Sequence, residues 1–281
     1  MKWLKRAALI LCGAIVVAMA TLYGGSEWML RRAYAAPPDT IVADHSAAGV
    51  AEGGRIARII GCRGCHASDA TGRVLVENAL LGRFAAPAIA RRAADYSDAQ
   101  LSRLIRHGIK RDGTALHVMP VQAFRHLSDD DVARLIGWIR TLKPQSKDLP
   151  GTISYGPMAR LLILTGGLPS QAHPETIAGH HRPVAAGAYF VHVSCMACHD
   201  LRHAQPQETD PTVTVPALAD VGSSYDANAF RHLLRTGVGM SGRDLGLMTR
   251  VAIADLSRLT DDEIKAVHTY LIEEHKRPAT Q

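Results

Sequence analysis

The sequence predicts an all-α protein in which two tandem domains follow one N-terminal transmembrane helix. Three observations support this prediction: an uncharged apolar stretch near the N-terminus, a five-residue motif that occurs twice, and apolar residues at helical spacing around each copy of the motif. A chain of 281 residues has room for two ordinary domains. We therefore expect one domain around each copy of the motif.

The repeated motif is C-x-x-C-H, the signature of c-type haem attachment. It occupies residues 62–66 and residues 195–199. Two thiols at this spacing add across the two vinyl groups of one porphyrin, and the imidazole of the next residue then binds the iron. A redox dithiol or half of a zinc site is the alternative for a C-x-x-C pair, but both copies carry the histidine and neither has a second thiol pair nearby. The prediction is two covalently bound c-type haems, attached by Cys62, Cys65 and His66 and by Cys195, Cys198 and His199.

The composition agrees with a chain built around flat apolar cofactors. Hydrophobic residues make up 47% of the chain but aromatic residues only 5%, which is little for two independent cores. The formal net charge is +6, and five of the 32 basic residues lie within the first 33 positions. We see no basic patch typical of nucleic-acid binding. The fifth cysteine, Cys12, lies in the apolar N-terminal run, so no pair remains for a structural disulfide.

Residues 7–26 form a stretch without charge that is long enough to cross a bilayer as a helix. Trp3 lies before the stretch and Trp28 after it, as interfacial aromatic residues do. The basic residues at the N-terminus predict that this end stays in the cytoplasm and that the haem domains lie outside it. A cleaved signal peptide is the alternative, because Ala18-Met19-Ala20 and Ala33-Tyr34-Ala35 resemble cleavage sites.

The second half of the chain repeats the first. Residues 87–119 align without a gap on residues 216–248, at a constant offset of 129. Further along, Ser128 and Thr260 each have the pattern of a helix N-cap that is followed by acidic residues, and each precedes apolar residues at helical spacing.

Small and aromatic residues also match between the halves. Gly54 and Gly187 each lie eight residues before the first cysteine of their motif, and Trp138 and Tyr270 fall at the same position in the last helices. A glycine on the first helix of each domain allows an aromatic side chain on the last helix to approach closely.

These features divide the chain into an anchor (1–33), a linker (34–46), domain 1 (47–145), a second linker (146–182) and domain 2 (183–281). The second linker is rich in proline and glycine. It also contains a short apolar run from Met158 to Leu164, for which three roles stay open: covering a haem edge, contacting the membrane or packing the two domains together.

The sixth iron ligand is inferred from the alignment of the halves. In the first half the candidate is Met119, and the residues His107, His117 and His126 are rivals by residue type. In the second half Met240 and Met248 compete. The ungapped alignment places Met119 on Met248, so the predicted iron ligands are His66 with Met119 and His199 with Met248. A thioether is a soft neutral ligand that favours ferrous iron, which suits a centre that only passes electrons.

These residues resemble the class I c-type cytochromes, twice over, in a membrane-anchored dihaem arrangement. The resemblance covers about residues 47–143 and 183–275, together with the anchor. It implies an all-helical fold for each domain, covalent haem, His/Met-ligated iron and one-electron transfer on the periplasmic face of the bacterial inner membrane. The chain is also similar to the cytochrome subunits of bacterial periplasmic dehydrogenases. Two departures are the residue after the second methionine, which is Thr249 where the first half has Pro120, and the absence of a third haem motif in this sequence.

The resemblance implies an electron-transfer protein with no catalytic residues of its own. The implied partners are redox proteins: a periplasmic dehydrogenase or soluble cytochrome, and a terminal oxidase. The alternative is an enzyme similar to the dihaem cytochrome c peroxidases, which needs one iron with a displaceable sixth ligand. Methionines at matched positions in both halves argue against that alternative.

Replacement of either predicted methionine ligand is expected to expose one haem iron. In the Met119→Ala and Met248→Ala variants, the reduced protein should bind carbon monoxide at one haem, which an optical spectrum detects. If the spectra of both variants stay unchanged, the ligand assignment is wrong.

Overall fold

A computed structural model of the chain describes residues 2–175, 177, 179–207, 210–240 and 242–278. Residue 1, where the predicted anchor begins, and residue 281, where the predicted domain 2 ends, lie outside the described residues. Helices dominate the described part of the chain, as the sequence predicts. In chain order they are α1 (Lys2–Ala20), α2 (Ser26–Leu30), α3 (Ala47–Ile59), α4 (Cys62–His66), α5 (Ile89–Ala93), α6 (Asp98–His107), α7 (Val121–Phe124), α8 (Asp129–Thr141), α9 (Pro157–Thr165), α10 (Gly187–Val193), α11 (Leu218–Ser224), α12 (Ala227–Thr236), α13 (Leu247–Ala254) and α14 (Asp261–Lys276).

The prediction of an all-α fold needs correction, because the chain also forms strands. An antiparallel sheet of order β1-β2-β3 consists of β1 (Arg73–Asn78), β2 (Gly82–Ala86) and β3 (Ile153–Tyr155). A hairpin in the second half pairs β4 (Gln205–Gln207) with β5 (Asp210–Val215). The strands follow from alternating valines in β1 and from pairing between segments that are far apart in the sequence, which helical periodicity does not reveal.

The N-terminal helix runs without interruption from Lys2 to Leu30, through a π-helical turn at Thr21–Gly25 between α1 and α2. By length and composition it can cross a membrane, although an N-terminal signal sequence has the same properties. No residue of α1 is buried in the protein. The helix therefore presents its apolar surface outward along most of its length.

The repeat seen in the sequence is also present in the structure. Helix α12 starts and ends 129 residues after α6, and each ends in a left-handed glycine, Gly108 or Gly237. An isolated bridge pairs Ile109 with Ala115 in the first half, and the same bridge recurs between Val238 and Asp244 in the second. The helix, its glycine cap and the bridge thus recur at the same offset of 129 residues as the sequence alignment.

The predicted N-caps are confirmed. The hydroxyl of Ser128 accepts a hydrogen bond from the backbone N–H of Asp131 at the start of α8. The hydroxyl of Thr260 accepts one from Glu263 at the start of α14, and the Glu263 side chain completes a capping box. Both helices therefore begin where the sequence predicts.

Glycines allow the first and last helices of each half to pack closely. A Cβ on Gly53 of α3 would lie 2.0 Å from the carbonyl oxygen of Arg134 in α8, and one on Gly187 would lie 2.2 Å from that of Ala266 in α14. A Cβ on Gly54 would lie 3.0 Å from Cδ1 of Trp138. A Cβ on Gly187 would likewise lie 3.1 Å from Cβ of Tyr270. The predicted close approach between glycine and aromatic residue is therefore confirmed in both halves.

Residues 146–182, which the sequence predicts as a linker, contain two elements that pack on the first half. Strand β3 pairs with β2, with Phe84 opposite Ile153. Helix α9 packs against the C-terminal end of the N-terminal helix, and its Ala159 and Ile163 are buried. The structure therefore packs the apolar run against the N-terminal helix, a contact that the three roles considered for it do not include.

The two halves pack against each other over a shared core. Buried residues of both halves, among them Ile59, Leu135, Phe190 and Leu271, belong to one hydrophobic cluster. Across this boundary, the Ser194 hydroxyl donates a hydrogen bond to the carbonyl oxygen of Ile59 (2.7 Å). The core is thus continuous across the boundary between the two halves.

Alanine at Gly53 or Gly187 is expected to destabilise the fold, because the added methyl group meets backbone atoms that cannot yield locally. We expect each substitution to lower the free energy of unfolding by about 1–3 kcal/mol, measured by urea unfolding of the haem-loaded protein. Gly64→Ala is the matched control, since a Cβ there meets nothing within 4 Å and the second motif carries Ala197 at that position. Equal stability of the Gly53, Gly187 and Gly64 variants would contradict the packing account.

Candidate functional site

A cavity of about 420 Å³ lies in the first half and brings the first set of predicted residues together. Cys62, Cys65, His66 and Met119 all line it. The remaining lining is mostly apolar and comes from helices α6 and α8 and from the sheet, for which Phe84 is an example. The cavity thus combines an attachment motif, a thioether and a wide apolar wall.

The attachment histidine is held by a backbone carbonyl in both halves. His66 Nδ1 lies 2.7 Å from the carbonyl oxygen of Pro87, and His199 Nδ1 lies 2.9 Å from that of Pro216. A hydrogen bond from Nδ1–H fixes the tautomer and leaves Nε2 free to bind a metal. Pro87 and Pro216 are the first residues of the ungapped alignment. The alignment therefore matches the two prolines, but it does not predict the role of their carbonyl groups.

The thiols are poorly suited to a dithiol redox centre. Burial raises the pKa of Cys62 and that of Cys195 to about 12. Dithiol exchange depends on a thiolate at neutral pH, which low pKa values provide. Attachment to a porphyrin therefore suits these cysteines better than redox cycling.

The structure separates the candidates for the sixth ligand in the first half. The side chain of His107 is engaged by the carbonyl oxygen of His173, 2.8 Å from its Nδ1, and the ring of His126 lies 5.0 Å from that of His192. His117 and Met119 both line the cavity. Sequence reasoning treats the three histidines as equal rivals, whereas the fold leaves only His117 beside Met119.

His117 is a buried polar residue with unsatisfied nitrogens. It is 6% exposed, and neither ring nitrogen makes a hydrogen bond of ordinary geometry, although the backbone of Leu168 and Pro169 lies near. Burial lowers the pKa of His117, so the ring is neutral at physiological pH. A buried polar group without a hydrogen bond of ordinary geometry is rare in folded proteins.

In the second half, Met248 is a better candidate than Met240. Met248 lies in the first turn of α13 and packs, partly buried, against the core, as does Cys195. Met240 is 64% exposed. Thr249, which replaces the proline of the first half, donates a hydrogen bond from its hydroxyl to the carbonyl oxygen of Gly237 (2.7 Å) and so ties the Met248 segment to the end of α12.

The cavity in the first half fits a haem. The apolar walls suit the porphyrin face, and the oriented imidazole and the thioether suit the iron. Arg92 and Lys110 also line the cavity and provide cations for propionate groups.

An acidic residue from the second half lies beside the first attachment motif. Asp255 is 7% exposed, and a Cβ on Gly61, the residue before Cys62, would lie 4.0 Å from its carboxylate oxygen. Burial raises the pKa of Asp255 to about 6, and the nearby Arg58 opposes that shift in part. The second half therefore contributes to the electrostatic environment of the first motif.

Comparison with known proteins agrees with this chemistry. Residues 48–139 match the family model described as cytochrome c oxidase, cbb3-type, subunit III. The chain is 26% identical over 252 residues to the fructose dehydrogenase cytochrome subunit of Gluconobacter japonicus, an alignment that covers 79% of this chain and 52% of that protein. The chain thus spans about half the length of that relative. Both comparisons support a c-type cytochrome with covalent haem and a non-catalytic role in electron transfer.

Removal of the Asp255 carboxylate is expected to change how stability depends on pH. Because the pKa of Asp255 is about 6 in the folded protein and about 4 in an unfolded chain, unfolding releases a proton between these values. The contribution of this group to stability therefore falls as pH rises through that window. Asp255→Asn should raise the free energy of unfolding at pH 7.5 by on the order of 2 kcal/mol and change it less at pH 4.5.

Urea unfolding of the haem-loaded protein at the two pH values measures this effect. The exposed Asp95→Asn substitution is the control, because it removes a solvated carboxylate. The same stability difference at both pH values would show that Asp255 is not a buried acid with a raised pKa.

Proposed function

We propose that the chain is a dihaem c-type cytochrome that passes single electrons between a periplasmic donor and a respiratory acceptor. The observation that carries this proposal is the repeated contact between each motif histidine and a matched proline carbonyl, at His66 and Pro87 and at His199 and Pro216. The same device at both motifs supports two haem sites of one design. No catalytic residue is assigned.

Eight residues hold the two cofactors in this proposal. They are Cys62, Cys65, His66 and Met119 in domain 1 (47–145), and Cys195, Cys198, His199 and Met248 in domain 2 (183–281). A bound haem supplies one-electron iron chemistry. With haem bound, the proline carbonyls would orient the imidazoles, the methionine thioethers would hold the iron together with them, and the apolar walls would exclude water.

The residues next to the two motifs contact each other in the fold. The Ser194 hydroxyl, one residue before Cys195, donates to the carbonyl oxygen of Ile59, three residues before Cys62. Helix α7, which follows Met119 and Pro120, also contacts the 3₁₀ turn Cys195–Ala197 of the second motif. These contacts support electron transfer within the chain from one site to the other.

A cluster of charges holds the two domains in a fixed relation. The Arg182 guanidinium pairs with Asp131, which is fully buried at the start of α8, and with Glu52 of α3. The Tyr189 hydroxyl, from the second half, donates to the same Asp131 carboxylate. Arg55 of α3 pairs with Glu263 of α14 (2.7 Å). Charges that pair across the boundary resist a change in the distance between the two sites.

The N-terminal helix supports a location on the periplasmic face of a bacterial inner membrane, with residues 1–33 retained as a single-pass anchor. The guanidinium of Arg160 in α9 donates to the Ser26 hydroxyl (2.8 Å) and pairs with Glu27 (3.1 Å) at the end of that helix. A segment that packs on the folded domain is better explained as an anchor than as a signal peptide that is removed.

The partners in this proposal are redox proteins. The matched relative is named as the cytochrome subunit of a dehydrogenase, which supports a periplasmic dehydrogenase as the electron donor, with a soluble cytochrome as the other possible donor. A terminal oxidase is the proposed acceptor. The membrane anchor keeps the chain close to such respiratory partners.

A redox titration of the haem-loaded chain tests the proposed function. The relay requires two reversible one-electron centres and no turnover of a substrate. Oxidation of the reduced protein by peroxide at enzymatic rates would instead support the alternative, a dihaem peroxidase with one displaceable ligand.

Loss of Arg182 is expected to loosen the two domains, because Asp131 then remains buried without its main cation. Arg182→Gln should lower the free energy of unfolding by about 3 kcal/mol and slow electron equilibration between the haems after photoreduction of one of them. Arg134→Gln is the matched control, since Arg134 pairs with the same carboxylate from a more exposed position and should cost less than about 1 kcal/mol. If the two variants equilibrate and unfold alike, the charge cluster does not fix the domains.

A further inference from the structure

We propose that the outer face of α9, together with the turn between β1 and β2, lies against the bilayer and fixes how domain 1 is oriented on the membrane. The contact surface consists of Leu80, Met158 and Leu161, and we call it the α9 patch. This inference rests on the membrane anchor of the proposed function and adds a second, non-spanning contact with lipid.

Helix α9 is joined to the anchor by specific contacts. The Arg160 guanidinium lies 5.0 Å from the centre of the Tyr23 ring and also contacts Ser26 and Glu27. A Cβ on Gly25 would lie 3.2 Å from Cδ2 of Leu164. The contacts come from both ends of α9, so the whole helix lies along the last two turns of the anchor.

The position of these contacts along the anchor sets the depth of α9. The uncharged stretch ends at Ser26, and its 20 residues span about 30 Å as a helix, which is the thickness of a hydrocarbon core. The residues that contact α9 therefore lie at the outer boundary of that core. Trp28, which is 71% exposed, lies just beyond, where aromatic side chains favour the interface.

The face of α9 that points away from the protein is apolar. Ala159 and Ile163 are buried, whereas Met158 is 41% and Leu161 is 45% exposed. Leu80, 62% exposed, is adjacent, because its carbonyl oxygen accepts a hydrogen bond from the backbone N–H of Met158 (3.0 Å). The one charged residue of α9, Arg160, is turned toward the anchor.

A bilayer is the occupant that this position favours. The patch is continuous with a helix whose exposed surface is suited to lipid, and a short apolar helix face at headgroup level buries its side chains in the acyl boundary. Arg31, directly after the N-terminal helix, pairs with Glu27 (2.7 Å) and is 79% exposed, which places its guanidinium at the level of lipid phosphates. A water-exposed patch at this level would leave three large apolar side chains unburied.

The contact has a consequence for the first haem site. Strand β3 directly precedes α9, and its Ile153 and Tyr155 line the cavity that contains His66 and Met119. With the α9 patch on lipid, the sheet side of this cavity faces the membrane. The orientation of domain 1 is then set by two points, the anchor and the patch, and not by a flexible tether.

Nitroxide labels on the full, haem-loaded chain in nanodiscs of phosphatidylcholine and phosphatidylglycerol test this proposal. Cys12 is replaced by serine, one label is placed through Leu161→Cys or Leu80→Cys, and the haems are kept reduced. For each label we measure its accessibility to oxygen, which enters lipid, and to a water-soluble nickel chelate. We expect the ratio of the first to the second to be several-fold higher for the Leu161 and Leu80 labels than for a label at Ile253→Cys. Ile253 is the matched control because it is a 54% exposed apolar residue on a helix of the second half.

The outcomes separate this proposal from the proposed function. In a separate sample that keeps the native Cys12, a label on this residue reports whether the anchor lies in lipid. The haem spectra report the state of the electron-transfer sites. If Cys12 contacts lipid while the Leu161 and Leu80 labels match Ile253, the α9 patch faces water and this proposal alone is wrong. Labels shielded from both reagents would mean that protein covers the patch, which also overturns it. A Cys12 label exposed to water would overturn the anchor and this proposal together.

Discussion

The orientation of the two motif histidines is the constraint on which the candidate sites depend. A metal-binding imidazole is oriented by a hydrogen bond from its other nitrogen, and here a proline carbonyl lies at that nitrogen in each half, through Pro87 and Pro216. A proline cannot use its own nitrogen as a donor, so its carbonyl is the polar group that its backbone contributes. The loop that carries it must then be fixed against the motif, and in the first half the hydrogen bond from Ile89 N–H to the carbonyl oxygen of Ala70 does this.

The two halves share the proline carbonyl at the motif histidine, but they differ in the structure around it. The first half closes its cavity with a sheet, and part of that sheet comes from residues beyond the repeat, at Ile153–Tyr155. The described residues of the second half form a short hairpin of β4 and β5 instead. It also replaces the proline after its methionine with Thr249, whose hydroxyl restores a fixed position through Gly237. In the second half, this side-chain hydrogen bond fixes the segment that carries Met248.

Packing makes the two halves one unit. The core cluster crosses the boundary, and the fully buried Asp131 is shared by Arg182 from the connecting segment and Tyr189 from the second half. Buried charges are costly unless they are paired, so this cluster favours a single relative placement of the halves. In the proposed relay, such rigidity would keep the distance between the two candidate sites constant.

Local signals account for what the sequence predicts well. The caps at Ser128 and Thr260 and the glycine beside Trp138 depend on residues a few positions apart or on a repeated helix pair, and the structure confirms them. The sheet is missed because β3 is three residues long and pairs with a strand about 70 residues earlier. The proline carbonyls are missed because a backbone group has no signature of its own in a sequence. The difference between His117 and the other histidines depends on which ring faces the cavity, which only the fold decides.

The family match covers residues 48–139 and therefore only the first motif. The number of haems bound by the chain is thus the quantity that tests the second site. Intact mass spectrometry of the denatured protein, purified with its covalent groups, measures this number directly. We expect the mass of the chain plus two haems, falling by one haem when Cys62 and Cys65 are both replaced and by one when Cys195 and Cys198 are both replaced. A chain that carries a single haem, lost only with Cys62 and Cys65, would contradict it.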